Sequence, residues 1–273
     1  RLGTPSRVLG SGIERKQYDL ADGRVVELIF NSGQLEAWIL DADERTDYFE
    51  IIGEAQACDG TESVKAIPDL ISSLENGNPV VRKEAAEDLG CLSSEAVGAI
   101  PSLVQTLGDE KRGVRNTAAW ALGQIGPKAI PALIQALGNE DINVRCAAAW
   151  ALGYAGAEAA GAIPALVQAL GSENESVREA ATWALGQIGL AAVPTLVQIV
   201  GDQDGNAALR KSAAMALGYV GPEAEEAIPV LIHVLEDESR EVRIGAEVAL
   251  WHITGLQTGN VDWWKEWWEE QQK

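Results

Sequence analysis

The chain has 273 residues, with 21 Lys plus Arg against 41 Asp plus Glu, and a formal net charge of −20. Hydrophobic residues make up 47% of it, enough to bury a sizeable core in one or two domains. The negative field repels phosphate backbones and anionic lipid surfaces, which argues against nucleic acid and favours a neutral or basic protein partner.

Taken in chain order, "RKQYDLADGRVVELIFNSGQLEAWIL" reads as strand, turn at Asp22-Gly23, strand, turn at Ser32-Gly33, strand. The expectation is a small antiparallel β-meander over residues 1–42. Three strands alone are marginal, so it needs the first repeats or upstream sequence to pack on. The stretch resembles the SmpA/OmlA-type envelope lipoproteins through Leu2-Gly3-Thr4-Pro5, Tyr18, Asp22-Gly23 and Phe30. The helices which that family sets before its Leu-Gly-x-Pro turn have no counterpart here. The resemblance implies a structural module of the bacterial envelope as one alternative function. "DADERTDYFEIIGEAQAC" reads as a connecting helix within a 43–62 linker. The first residue is Arg1 rather than Met, which points to processing or a trimmed terminus and leaves cytoplasmic and envelope locations both open.

Between residues 63 and 255 the chain repeats. An Ile-Pro or Val-Pro pair recurs with its proline at Pro68, Pro101, Pro131, Pro164, Pro194 and Pro229, spaced 33, 30, 33, 30 and 35 residues. Each is followed by an arginine: Arg82, Arg115, Arg145, Arg178, Arg210 and Arg243. The proline-to-arginine distance is 14 residues in five units and 16 in the fifth, the site of a two-residue insertion. Each unit holds two helical patterns. In "AIPALIQALG", Ile130, Leu133, Ile134 and Leu137 form one stripe, and Pro131 fits the first turn. The second helix buries Val144, Ala147, Ala148, Ala151 and Leu152 by the same spacing. Four residues before each arginine stand Asn78, Lys111, Asp141, Asn174, Asn206 and Ser239, five of which can cap the second helix. Gly138 and Gly153 mark helix ends.

This text, seen whole in Ala129–Gly156, resembles HEAT-like repeats, and in particular the alanine-rich type of phycobilin lyase-related proteins. The resemblance implies a right-handed α-solenoid of six helix pairs, with the second helices lining the concave side. It also implies a link between each arginine and an acid or amide of the turn. Asp141 and Arg145 match that pattern, and Lys111 departs from it. A phycobilin lyase-like subunit or chromophore-protein chaperone is the alternative function it carries.

Five residues after each arginine lies a column of Glu87, Trp120, Trp150, Trp183, Met215 and Val248. At 100° per residue it stands about 120° from the buried valine, flanking the core. Four residues further come Cys91, Gln124, Tyr154, Gln187, Tyr219 and His252, with a glycine just before five of them. Two readings follow. The rings fill space between units, or they form a recognition strip of Trp120, Trp150, Trp183, Tyr154, Tyr219, Gln124 and Gln187 for a partner.

The end, "NVDWWKEWWEEQQK" within residues 256–273, reads as a capping helix whose tryptophans cover the last open stripe, with Trp263 and Trp267 at i, i+4. Cys58, Cys91 and Cys146 lack any CxxC spacing and read as neither a disulfide framework nor a zinc site. Cys91 and Cys146 lie two units apart, about 20 Å and too far to bond each other. His233 and His252 have no metal-ligand spacing, and "DQDGN" fails as a calcium loop because Val200 and Lys211 would occupy ligand positions. No apolar run reaches the ~18 residues that span a bilayer. The expected molecule is therefore a mainly α solenoid with an N-terminal β-meander and a Trp-rich cap, acting as a non-enzymatic protein-binding scaffold without cofactor or metal.

Overall fold

The computed structural model describes the backbone of residues 13–19, 25–31 and 34–40, and residues 67–256 and 260–272 with their side chains. The chain divides into two compact units, Arg1–Ala57 and Cys58–Lys273.

The first unit contains strands β1 (Ile13–Asp19), β2 (Val25–Asn31) and β3 (Gln34–Leu40), in the order β1-β2-β3 with both pairs antiparallel. Tyr18 stands opposite Val26, and Val26 opposite Ile39. The turns at Asp22-Gly23 and Ser32-Gly33 and the 43–62 linker lie outside the described residues.

The second unit is a stack of helix pairs. The first helices are α1 (Ile67–Ser73), α3 (Ile100–Thr106), α5 (Ile130–Ala136), α7 (Ile163–Leu170), α9 (Val193–Gly201) and α11 (Ile228–His233). The second helices are α2 (Pro79–Cys91), α4 (Arg112–Ile125), α6 (Ile142–Ala155), α8 (Glu175–Ile188), α10 (Ala207–Val220) and α12 (Arg240–Thr254). A last helix, α13 (Val261–Gln271), packs against α11. Short 3₁₀ segments join one pair to the next.

The expected fold class needs correcting on this point. The expected mainly α solenoid with an N-terminal β-meander is not one architecture: the strands belong to the separate compact unit Arg1–Ala57, and the repeat unit has no strand among its described residues. Each pair buries its stripe against the next pair, so helices alone supply that core.

Leucine defines the centre. Leu103, Leu133, Leu166, Leu196 and Leu231 of the first helices and Leu89, Leu122, Leu152, Leu185, Leu217 and Leu250 of the second are all at 0% exposure. Alanine fills the spaces between second helices: Ala118, Ala148, Ala181, Ala213 and Ala246 are equally buried. The run Glu175–Gly201 is long and apolar enough to cross a membrane by length and composition. It is not one straight rod, however. Gly189, at φ 76°, and a 3₁₀ segment break it into α8 and α9.

Backbone ends are satisfied by side chains. Asn78, Asp141, Asn174 and Asn206 cap their helices by accepting from backbone N–H groups of the first turn. Ser239, expected to do the same, makes no such bond; its own N–H donates to Asp237 Oδ1 at 2.8 Å. Asp109 likewise receives the Lys111 N–H at 2.8 Å, so a carboxylate two residues upstream orders the turn where the cap residue does not.

Each arginine closes the turn of its own unit. Arg145 donates to the carbonyls of Asn139 and Glu140, and Arg115, Arg178 and Arg243 repeat the arrangement. This corrects the expected Asp141–Arg145 link, since Asp141 serves as the helix cap. A true cross-unit bond exists elsewhere. Arg82 grips Asp109 of the next unit through two bonds, Nε to Oδ2 at 2.6 Å and Nη2 to Oδ1 at 2.9 Å, with both side chains about nine-tenths buried. Arg210 donates a single bond, from Nη1, to Asp237 Oδ2 of the following unit, while its Nε donates to the Gly205 carbonyl.

Burial of the Asp109 carboxyl pushes its pKa up, but the hydrogen bond from Arg82, the Lys111 amide and the nearby guanidinium charges outweigh it, so the net shift is downward. A carboxylate held below its unfolded value, about 3.9, stabilises the fold above that pH and loses the contribution as pH falls through the folded value. The stability difference between wild type and Asp109→Asn, taken from urea melts, should therefore be level from pH 5 to 8. It should shrink towards zero below about pH 4.

The cysteines depart from expectation too. Cys91 is disulfide-bonded, while Cys146 is free. The two do not bond each other, in keeping with their two-unit separation, but the reading of the cysteines as no disulfide framework fails at Cys91. Spacing rules see metal motifs and miss a bond formed through tertiary approach. Alkylation of the denatured, unreduced chain followed by peptide mapping should label Cys146 and leave Cys91 unlabelled until a reductant is added.

Candidate recognition surface

The second helices pack against one another more closely than the first helices do, and small residues make this possible. A Cβ built at Gly90 would lie 2.3 Å from Trp120 Cζ3, and one at Gly153 would lie 2.2 Å from Trp183 Cζ3. At Gly123 and Gly186 the intruding atoms are Tyr154 Cβ at 2.4 Å and Tyr219 Cβ at 2.3 Å. Gly90 and Gly153 are therefore seats for the Trp120 and Trp183 rings of the next unit, and Gly123 and Gly186 for the Cβ atoms of Tyr154 and Tyr219. This answers what Trp120 and Trp183 do in alanine-rich helices: each lies across a glycine that no other residue could replace without displacing it.

Seating covers only part of each ring. Trp120, Trp150, Trp183 and Tyr154 are half-buried, Tyr219 is 44% exposed, and Gln124 and Gln187 are exposed. Trp150 and Trp183 meet at 4.5 Å between centroids, and Tyr154 meets Trp183 edge-on at 5.3 Å. Trp150, Tyr154 and Trp183 thus form one cluster spanning α6 and α8. Tyr219 belongs to a second group with His252, 6.4 Å away. The Gln124 and Gln187 amides end the faces of α4 and α8 without joining either group.

The flanking chemistry is quiet. Burial pushes the Cys146 thiol up, against nearby Arg145 and Arg115, which keeps it protonated at neutral pH and a poor nucleophile. Partial burial, then the Glu179 carboxylate, push Tyr219 up. Among the described residues no three His, Cys, Asp or Glu side chains converge to hold a metal ion.

A packing feature missed by spacing alone is the C-terminal helix face. Trp264, not Trp263, is the buried tryptophan of α13, at 3% exposure. Trp263 is 37% exposed and stacks on Trp267 at 6.3 Å and 11°. The i, i+4 pair was visible in the sequence, but which pair faces inward depends on how α13 docks.

Models of HEAT repeats match residues 67–140, 130–205 and 193–257. The chain belongs to the HEAT-repeat family. The likeness of the first forty residues to envelope lipoproteins finds no support, since all matched residues lie in the repeats. Among curated proteins, none matches. Solved structures similar to this HEAT-repeat chain include an engineered protein at 26% identity, covering 69% of this chain and 96% of its own, with a TM-score of 0.38. A designed armadillo repeat protein in complex with the peptide (KR)4 is 22% identical over 69% of this chain and 99% of its own, TM-score 0.38. Human deoxyhypusine hydroxylase in complex with glycerol is 25% identical over 70% and 85%, TM-score 0.33.

The glycine seats generate a test by coupling. Gly153→Ala alone should destabilise by about 1 kcal/mol, overpacking against Trp183 outweighing the helix-propensity gain of roughly 1 kcal/mol. Trp183→Ala alone should cost about 2–3 kcal/mol, the low end for a ring only half buried. The double variant should lose at least ~1 kcal/mol less than the sum, because the new methyl occupies space the ring has left. Strict additivity in chemical denaturation would show that ring and glycine do not meet.

Proposed function

We propose that this HEAT-repeat protein is a non-enzymatic scaffold that binds a protein partner across the solvent-facing side of its second helices, the inner side of the stack. The observation that carries the reading is the row formed by Gln124, Trp183, Gln187 and Tyr219, whose outer parts are turned to solvent along one face of the second helices. Trp120, Trp150 and Tyr154 widen the row. Tyr and Trp supply much of the energy in protein interfaces because they offer large, rigid, amphipathic area. The exposed amides add hydrogen bonds that leave no buried polar group unpaired when the surface is free. Closer packing of the second helices than of the first supports an inward curve on this side.

The partner is neutral or basic. A chain at −20 draws such a protein by long-range attraction, and raised salt weakens the complex.

The test separates recognition from stability. A Gln124→Ala/Gln187→Ala/Tyr219→Ala variant changes exposed positions and should keep its melting temperature within a few degrees. In capture from native extract, with bound protein identified by mass spectrometry, wild type should retain a partner that the variant loses. Retention should also fall as salt is raised from 50 to 500 mM. Equal capture by both proteins would remove the surface from consideration.

A further inference from the structure

Three features of the repeats have a period of two units, not one. The proline spacing alternates 33, 30, 33, 30, with the last interval lengthened by the insertion before Arg210. The structure shows where the extra three residues go. The 3₁₀ connectors Ser93–Ala99, Gly156–Ala162 and Gly221–Ala227 are seven residues long, whereas Gly126–Lys128 and Gly189–Ala192 have three and four. Each long connector buries an additional alanine completely: Ala96, Ala159 and Ala224.

Side-chain links follow the same alternation. Arg82–Asp109 ties unit one to unit two, and Arg210–Asp237 ties unit five to unit six. Arg115 and Arg178 bond only within their own turns. At the junction of units three and four Ser172 stands where the aspartates stand elsewhere, and the ring cluster of Trp150, Tyr154 and Trp183 makes the link instead. Tyr219 meets His252 from unit five to unit six. Trp120 and Trp183 both turn back onto the preceding unit, at Gly90 and Gly153. The second helices also touch more extensively at these junctions than at the other two.

We infer that the solenoid is assembled from three two-repeat blocks, units one–two, three–four and five–six, and that it opens first at the two junctions between them. In a linear array each repeat meets only its neighbours, so stability is a sum of unit and interface contributions. Strong interfaces alternating with weaker ones divide such an array into cooperative pairs. The junctions at Gly126–Lys128 and Gly189–Ala192 share the alanine–glycine seam but lack the charged cross-unit arginine–aspartate bond and the additional buried connector alanine, and there Tyr154 and Tyr219 meet Gly123 and Gly186 chiefly through Cβ. They are the points at which the stack bends or separates, whatever partner it binds.

Native-state hydrogen exchange of the full chain in rising, sub-denaturing urea reads this directly. Amides of α2 and α4 should follow one dependence on urea, α6 and α8 a second, and α10 and α12 a third. Trp183→Ala, which removes the ring linking units three and four, should speed exchange in α6 and α8 about tenfold. Amides of α4 and α10 should change less than about threefold. A single dependence shared by all six second helices would overturn the blocks, as would α4 grouping with α6. So would a Trp183→Ala effect reaching α10 as strongly as α6.

Discussion

The close approach of neighbouring second helices sets the terms for the rest of the structure. With leucine fixed at the centre of every pair, the spacing between α4, α6, α8 and α10 depends on residues no larger than alanine on the facing surfaces. At Gly123 the obstacle to a methyl group is partly backbone, with Ala151 O at 3.1 Å, so no side-chain rotation could make room. Tight spacing has two consequences. It removes space for large residues inside the seam, which leaves only the flank for tryptophan. It also brings the inter-helix turns near enough for Arg82 and Arg210 to reach an aspartate in the unit ahead.

The same geometry explains the ends of the stack. The position facing backwards is alanine in the five later units, Ala121, Ala151, Ala184, Ala216 and Ala249, and all are fully buried. In the first unit it is Asp88, open to solvent but with its carboxyl partly desolvated by its neighbours, which, with Glu84, pushes it up. Facing forwards, the glycine seats end in Trp251, and the small residue four places after the arginine becomes Glu247, which is exposed. Beyond them α13 places Trp264 in the core and Lys265 at 3.1 Å from Glu236. Polar substitutions at the two outer faces stop the array from adding further units, as a solenoid requires.

Much of this was legible because repetition multiplies weak signals. One Pro-to-Arg interval means little, but six in register locate both helices, the caps and the flank on which the rings stand. Legibility failed where an outcome depends on approach between distant residues. Asp141 and Arg145 have the right spacing for a bond, yet the arginine reaches the nearer carbonyls of Asn139 and Glu140 and leaves the acid to cap. The disulfide at Cys91 left no mark in the cysteine spacing. The alternation of 33 and 30 was plain in the numbers, but its meaning, an extra buried turn at every second junction, required seeing which unit that turn packs on. At the candidate surface, the column of rings was predictable while their mutual contacts were not, since contact depends on χ angles that no periodicity specifies.

That distinction bears on where specificity lies. Trp120 and Trp183 sit where packing demands a ring, because a glycine in the preceding unit leaves a hollow of that shape. Their presence is explained without any partner. The residue four positions later is less constrained: Gln124, Tyr154, Gln187 and Tyr219 differ from unit to unit although the seam beneath them is nearly uniform. Tyr154 and Tyr219 touch the glycines through Cβ and meet Trp183 and His252 with their rings, whereas Gln124 and Gln187 carry no such ring contact. Side chains that the fold permits but does not require are free to be selected for recognition. On the proposed scaffold reading, the exposed amides of Gln124 and Gln187 are therefore a better guide to the partner's chemistry than the more conspicuous tryptophans.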